Sequence, residues 1–139
     1  MIYLSLGSNL GDRRENLSRA VALIKERWPD SPARVSSPYE SEPWGYDSSH
    51  PYINIAVALG GDAPLAGGPL ALLRQLQAIE RAISPAPHRN ADGTYADRAI
   101  DIDIISIDGI DLSTPELTLP HPRAHLRPFV MIPLRELGQ

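Results

Sequence analysis

A short stretch of strict alternation limits the folds open to this chain more than any other feature. Within residues 99–107, Ile100, Ile102 and Ile104 are separated by Asp101 and Asp103. A period of two is typical of a β-strand with one face in a core, whereas a helix would spread these isoleucines around its axis. The chain must therefore build a sheet that is covered on at least one face at this strand.

The rest of the chain alternates between segments with strand character and segments with helical character. Strands are predicted over residues 2–6, 34–41 and 52–59, and the strand over residues 34–41 is expected to have one solvent-exposed face. Apolar residues at spacings of three and four predict helices over residues 17–28 and 69–83. A short closing helix, interrupted or started near Pro133, is expected over residues 129–137. We expect Asn9 or Asp12 to cap the first helix and Asp108-Gly109 to form a tight hairpin turn.

This order of elements predicts the fold class. Strand–helix–strand–strand–helix–strand is the plan of a ferredoxin-like α+β sandwich, in which two helices pack on one face of an antiparallel sheet. The chain has 139 residues, of which 42% are hydrophobic, so it is long and apolar enough for one core. We therefore predict a single domain over residues 1–139.

Composition and charge exclude several classes of protein. The chain has no cysteine, which excludes a disulfide scaffold, a thiolate zinc site and a cysteine nucleophile. The apolar run at the start is too short for a signal peptide, and no run approaches a membrane span, so we expect a cytoplasmic protein without a membrane partner. The formal net charge of −4 and the lack of a basic stripe disfavour nucleic acid as a partner.

Asp101 and Asp103 form the first candidate site. Residues two apart on a strand point to the same side, roughly 6–7 Å apart, so the two carboxylates face one way while the isoleucines face the core. Mg²⁺ prefers one or two protein carboxylates together with water and substrate phosphates. The competing interpretation is a solvated strand face, but strands disfavour Asp, and like charges on one face repel each other.

Two further groups of residues suggest ligand contacts. Large aromatics flank Asn54, which suggests a pocket that holds a flat ring and contacts its amide edge: Tyr39, Trp44, Tyr46 and Tyr52. His121 lies between two prolines, close to Arg123 and Arg127, and this group suits an anionic ligand. Core packing of Tyr52 and an ordinary surface loop at His121 are the alternatives. The aperiodic segments 43–50 and 84–96 are predicted to be mobile and to order around ligands.

Six blocks, taken together, resemble one known family. They occur in the family's order and span nearly the whole chain: residues 7–12, 39–45, 52–54, 98–104, 117–122 and 127–129. The family is 6-hydroxymethyl-7,8-dihydropterin pyrophosphokinase, of folate biosynthesis. The resemblance implies a ferredoxin-like fold and an enzyme that transfers pyrophosphate from ATP to the hydroxymethyl oxygen of the pterin, releasing AMP. ATP and this pterin would be the small-molecule partners of a chain that we expect to be monomeric.

The resemblance also implies roles for individual residues. Asp101 and Asp103 would bind two Mg²⁺ ions and, with Arg98, carry catalysis. The pterin pocket would comprise Ser41, Pro43, Trp44, Tyr52, Asn54 and Phe129. The ATP side would comprise Gln77, Glu80, Arg89, Arg98, Ile104, Thr118, His121 and Arg127. The family commonly has an arginine-rich loop before the Asp pair, but residues 84–97 keep only Arg89 and have Tyr95 where tryptophan is usual.

Two other functions remain open from the residues alone. A ferredoxin-like module that binds a small ligand without catalysis would show no magnesium dependence and no AMP production. An RNA-binding domain on the same plan would need a basic sheet with exposed aromatics, which the acidic charge and the Asp pair oppose. No histidine or carboxylate is an evident general base for the pterin hydroxyl.

Overall fold

A five-stranded antiparallel sheet forms the centre of the molecule in the computed structural model. The structure describes residues 1–41, 51–83 and 99–138, with Ser41 described by its backbone alone. The five strands are β1 (Ile2–Ser8), β2 (Ala33–Val35), β3 (Tyr39–Ser41), β4 (Tyr52–Leu59) and β5 (Asp101–Ile107). Their order is β2-β4-β1-β5, and β3 pairs with β4 beyond the end of β2. This is the ferredoxin-like order, so the predicted fold class is confirmed.

Two long helices cover one face of the sheet. They are α1 (Arg13–Arg27) and α2 (Pro69–Ile83). The core between them and the sheet includes Leu4, Leu6, Leu72 and Leu76, none of them exposed at all. Burying each such side chain contributes about 1.5–3 kcal/mol. The alternating isoleucines 100, 102 and 104 belong to this same core, as their period predicts.

A third helix, α3 (Pro128–Glu136), packs on the opposite face of the sheet. It covers a second, smaller core that includes Tyr3, Ala56 and Ala58, where the two alanines leave room for a helix. The Glu136 carboxylate accepts a hydrogen bond of 2.6 Å from the backbone N–H of Ser37, which ties the end of α3 to the segment between β2 and β3. The sequence predicted this helix but not its face, and Pro133 lies inside the helix rather than interrupting it.

The predicted strand over residues 34–41 is wrong as a single strand, because it is two short strands. The Ser36 hydroxyl accepts a hydrogen bond of 2.8 Å from the N–H of Ala56, and the Ser36 N–H donates to the carbonyl of Ala56. A side chain thus takes a place in the backbone ladder, and Pro38 then offers no N–H to continue it. The chain shifts at this point and resumes pairing at Tyr39, opposite Asn54.

The end of β5 also differs in part from the prediction. Asp108-Gly109 does form a turn, with Gly109 at a φ of 78°, and Ile110 bridges back to Ile107. The chain then leaves the main sheet. It forms a small hairpin of β6 (Leu112–Ser113) and β7 (Thr118–Leu119), which lies beside β5. In the described parts of the chain, no helix combines the length and apolar character needed to cross a membrane.

Candidate active site

A row of four residues crosses the sheet on the face opposite α1 and α2. Tyr39 pairs with Asn54, Asn54 with Gly7, and Gly7 with Asp101. Residues in register across a sheet point to the same face. Because adjacent strands lie roughly 4.8 Å apart, the backbones at Asn54 and Asp101 are about 10 Å apart. The predicted ring pocket and the predicted metal site are therefore neighbours on one surface.

Gly7 creates the space between these two places. A Cβ added at Gly7 would lie 2.7 Å from Asn54 Nδ2 and 3.2 Å from Tyr52 Cδ1. The side chains of Asn54 and Tyr52 therefore extend over this glycine, and no other residue fits beneath them. The strand predicted over residues 2–6 stops short of Gly7, but Gly7 lies inside β1, which extends from Ile2 to Ser8. A glycine inside a strand is the signal that marks a close approach.

Asp101 and Asp103 lie on β5, which is an edge strand of the sheet. Asp103 pairs with Ser5 and Asp101 with Gly7, so the two carboxylates share the face that carries Asn54. Both are partly buried. The strand is fixed from behind by Ile102 and Ile104, which are 4% and 2% exposed. The predicted same-face arrangement of the carboxylates is therefore present in the structure.

Glu80 supports β5 from the neighbouring helix. Its Oε2 accepts a hydrogen bond of 2.7 Å from the backbone N–H of Ile102, between the two aspartates. Glu80 is only 5% exposed, whereas Gln77, one turn earlier on α2, is exposed. This hydrogen bond ties the buried carboxyl group of α2 to the backbone of β5.

His121 is held against the same strand. Its N–H donates to the carbonyl of Ile105 at 2.7 Å, and its Nδ1 accepts a hydrogen bond of 3.2 Å from the N–H of Arg123. Burial lowers the pKa of His121, the positive charges of Arg127 and Arg123 lower it further, and Asp101 opposes this. The neutral ring therefore carries its proton on Nε2, where it is a hydrogen-bond donor.

A cavity of about 270 Å³ opens beside the free edge of β5. It gathers three residues predicted for ATP, namely Ile104, Thr118 and His121, together with Asp103. Leu73 of α2 and the segment 114–117 close the other sides. An open cleft with a mixed polar and apolar lining suits part of a small ligand.

Arg127 and Phe129 lie at the start of α3. Arg127 is the residue that precedes the helix, and its Cζ lies 5.9 Å from the centre of the Phe129 ring. That distance is within the range of a cation–π contact. α3 packs on the face that carries Asn54 and Asp101, where Phe129 packs against the smaller core and the charge of Arg127 acts on His121.

Several predicted site residues lie outside the described residues. They are Pro43, Trp44, Tyr46, Arg89 and Arg98, together with the side chain of Ser41. Both segments predicted to be mobile, 43–50 and 84–96, lie there as well. Among the described residues, no group of three or more His, Cys, Asp or Glu is arranged to hold a metal ion. A metal at Asp101 and Asp103 would thus need ligands from water or substrate, which is the preference of Mg²⁺.

Comparisons with known proteins show the family of this ferredoxin-like chain. The profile of the family "7,8-dihydro-6-hydroxymethylpterin-pyrophosphokinase (HPPK)" matches residues 3–139. A protein of Porphyromonas gingivalis named 2-amino-4-hydroxy-6-hydroxymethyldihydropteridine pyrophosphokinase is 42% identical over 139 residues, which are 99% of this chain and 90% of that protein.

Two further relatives carry the same name. The protein of Bacillus subtilis is 35% identical over 137 residues, which are 99% of this chain and 77% of that protein. The protein of Methylorubrum extorquens is 34% identical over 136 residues, which are 98% of this chain and 81% of that protein. The chain belongs to the 7,8-dihydro-6-hydroxymethylpterin-pyrophosphokinase family, and the resemblance noted in its motifs is confirmed.

Proposed function

We propose that this chain transfers the pyrophosphoryl group of ATP to the hydroxymethyl oxygen of 6-hydroxymethyl-7,8-dihydropterin, on the sheet face that carries Asn54 and Asp101. The new bond joins that oxygen to the β-phosphorus. The bond that breaks joins the β-phosphorus to the oxygen bridging to the α-phosphorus, and AMP leaves with that oxygen. The observation that carries the proposal is the row Asn54–Gly7–Asp101. It places the Asn54 amide, which can hydrogen-bond to the polar edge of the pterin, next to the carboxylate pair.

The pterin half of the site is centred on Asn54. This amide is 4% exposed, and an amide has both donors and acceptors, which matches the donor and acceptor edge of a pterin. We assign Tyr52 and Phe129 to the two faces of the ring. Ser41, Pro43 and Trp44 complete the proposed pocket, on the evidence of their place in the family motif.

The nucleotide half is centred on the cavity beside β5. Ile104 is two residues from Ile102 and shares its orientation, so its backbone polar groups face the free edge, where a base can bind. Thr118 and His121 line the same cavity, and Arg127 lies close to His121. Sequence position in the family motif supports the remaining ATP contacts at Gln77, Arg89 and Arg98, and it also places Glu80 on the ATP side.

The residues of β5 fit the magnesium that the family implies. Asp101 and Asp103 would hold it, and we propose two ions between these carboxylates and the triphosphate. When bound, Mg²⁺ neutralises charge on the phosphate oxygens and so lowers the barrier to nucleophilic attack. The neutral His121 ring donates a hydrogen bond at Nε2 to a phosphate oxygen without needing to gain a proton first. The planar guanidinium of Arg98 can donate two parallel hydrogen bonds to a phosphate group.

Incubation of the protein with ATP, Mg²⁺ and 6-hydroxymethyl-7,8-dihydropterin tests the proposal. We expect AMP and the pterin pyrophosphate in equal amounts, and neither product when the pterin or Mg²⁺ is left out. Binding of both substrates without AMP would indicate the non-catalytic ligand-binding module instead. Cytoplasmic location, a monomeric state and the absence of a nucleic-acid partner stay predictions from the sequence.

A further inference from the structure

The Asp pair lies on β5, whose outer edge pairs with no further strand of the main sheet in the described part of the chain, although the β6–β7 hairpin lies beside it. β5 is the last strand in the order β2-β4-β1-β5, so every second residue turns its N–H and C=O away from the sheet. Ile102 is such a residue, since its N–H is bonded to Glu80 rather than to β1. An edge strand that carries two carboxylates and must receive a triphosphate is under electrostatic repulsion, so its outer side needs a fixed anchor.

Glu80 is an unusual residue at its position on α2. It lies one turn beyond Leu76 on the buried stripe of the helix and is itself only 5% exposed. A buried carboxylate costs free energy unless it is hydrogen-bonded, and a leucine here would simply extend the apolar stripe. The hydrogen bond of 2.7 Å to the Ile102 N–H therefore accounts for an acid at this place.

The bonded N–H belongs to the peptide group that joins Asp101 to Ile102. Holding this peptide plane restricts the backbone on both sides of it, and so sets the direction in which Asp101 and Asp103 point. We infer that Glu80 is a positioning residue, which acts on the carboxylate pair through the backbone of β5 rather than by contact with the nucleotide. This inference rests on the proposed function and specifies one residue within it.

Three variants of Glu80 and one control distinguish this positioning role from a direct nucleotide contact and from a purely structural role. Glu80→Gln keeps an acceptor oxygen at the same distance along the side chain. Glu80→Leu keeps the size but removes the acceptor, and Glu80→Asp keeps the charge but is too short by one methylene. Ile79→Val, a trimmed core side chain on the same helix, is the control for a general loss of stability.

The first measurement is backbone amide exchange by NMR in the protein without ligands. We expect the Ile102 amide to exchange at least about tenfold faster in Glu80→Leu and Glu80→Asp, because a hydrogen bond to a charged group is lost. Glu80→Gln and Ile79→Val should leave it protected, and the amides of the central strands should stay protected in every variant. The Asp variant supports the same comparison if the Leu variant does not fold.

The second measurement is steady-state kinetics with a titration of Mg²⁺. In Glu80→Leu and Glu80→Asp we expect kcat to fall at least about tenfold and the Mg²⁺ requirement to rise, with the KM for ATP nearly unchanged. Glu80→Gln should keep most of the wild-type kcat. A rise in the KM for ATP in Glu80→Gln, with the Ile102 amide still protected, would overturn the inference in favour of a direct nucleotide contact.

Two other results also decide the matter. Faster exchange at Ile102 with an unchanged kcat and Mg²⁺ requirement would overturn the positioning role and leave the bond a structural one. An equal loss of kcat in Ile79→Val would do the same. Failure of the wild-type protein to form AMP would contradict the proposed function instead, and the amide exchange would still show whether Glu80 holds β5.

Discussion

At the scale of single residues, the site depends on a side chain that is missing as much as on those present. Gly7 leaves the space into which Asn54 and Tyr52 extend. Asn54, Asp101 and His121 could be singled out before the structure was known, since polar or charged groups in apolar or proline-rich surroundings stand out. Gly7 directly follows the predicted strand, where a glycine is ordinary, and only the strand register shows that it lies between Asn54 and Asp101.

Substitution Gly7→Ala should weaken pterin binding while the protein stays folded. The added Cβ would lie 2.7 Å from Asn54 Nδ2, closer than real contacts allow. The amide must therefore move away from the position in which it would bind the pterin. We expect the pterin Kd to rise about tenfold or more in calorimetry, the equivalent of one hydrogen bond or more. Gly60→Ala is the matched control, because its nearest contact would be 3.6 Å. An unchanged pterin Kd in Gly7→Ala would contradict this role.

His121 makes the free energy of unfolding depend on pH, in a direction that follows from its lowered pKa. Its pKa in the folded protein is lowered by burial and by Arg127 and Arg123, so below the ordinary value of 6.5 the unfolded chain binds the proton more readily. The free energy of unfolding contributed by this residue is thus complete above pH 6.5 and falls as the pH decreases through the folded pKa.

Urea denaturation of the wild type and of His121→Gln checks this sign. We expect the wild type to lose more stability than His121→Gln between pH 7.5 and pH 5, because only the wild type must bury a charged imidazole at the lower pH. The measurement is made without nucleotide, since phosphate would favour the charged ring. Parallel losses in the two proteins would show that His121 is not the group responsible.

At the scale of elements, the sequence predicted most strands and helices but not how they associate. Periodicity identifies β4 and α2 because each carries a continuous apolar pattern. It does not say which face of a sheet a helix covers, so the place of α3 was not foreseen. The break between β2 and β3 was missed as well, because the Ser36 hydroxyl takes a place in the backbone ladder. A serine within a strand pattern carries no signal that its side chain will bond in this way.

The N-terminus of α1 links the two strands that flank residues 42–50. Arg13 Nη1 donates to the carbonyl of Pro51 at 2.8 Å and lies 3.4 Å from Oε1 of Glu40. One guanidinium thus joins the end of β3 to the start of β4. This contact adds a side-chain link between two strands that already pair from Tyr39 to Ser41, next to the proposed pterin pocket.

Removal of this link should reduce stability and raise the KM for the pterin. In Arg13→Ala we expect a loss of about 1 kcal/mol in the free energy of unfolding, since a partly exposed hydrogen bond is worth that much. We expect the KM for the pterin to rise several-fold while the KM for ATP stays constant. Arg14→Ala, the exposed neighbour, is the control. Equal effects of the two substitutions on the pterin KM would contradict the element-level role.

At the scale of the whole molecule, the fold brings together residues that are far apart in sequence. Asn54, Gly7 and Asp101 come from three strands and meet because β1 lies between β4 and β5. Strand order followed from the ferredoxin-like plan, but the register did not, because alternation fixes the face of a residue and not its partner. The cavity beside β5 was equally beyond sequence patterns, since it needs the hairpin of β6 and β7 to leave the main sheet.

The central claim is that Asp101 and Asp103 are both required because they bind the metal for pyrophosphate transfer. AMP release by Asp101→Asn and by Asp103→Asn at saturating Mg²⁺ tests it most directly, with Asp108→Asn, an exposed aspartate in the turn after β5, as the control. We predict that kcat falls at least about 100-fold in both site variants, since the metal supplies several kcal/mol of charge stabilisation. Tm should stay constant or rise slightly as repulsion is relieved. Wild-type rates of AMP release in either site variant would contradict the account.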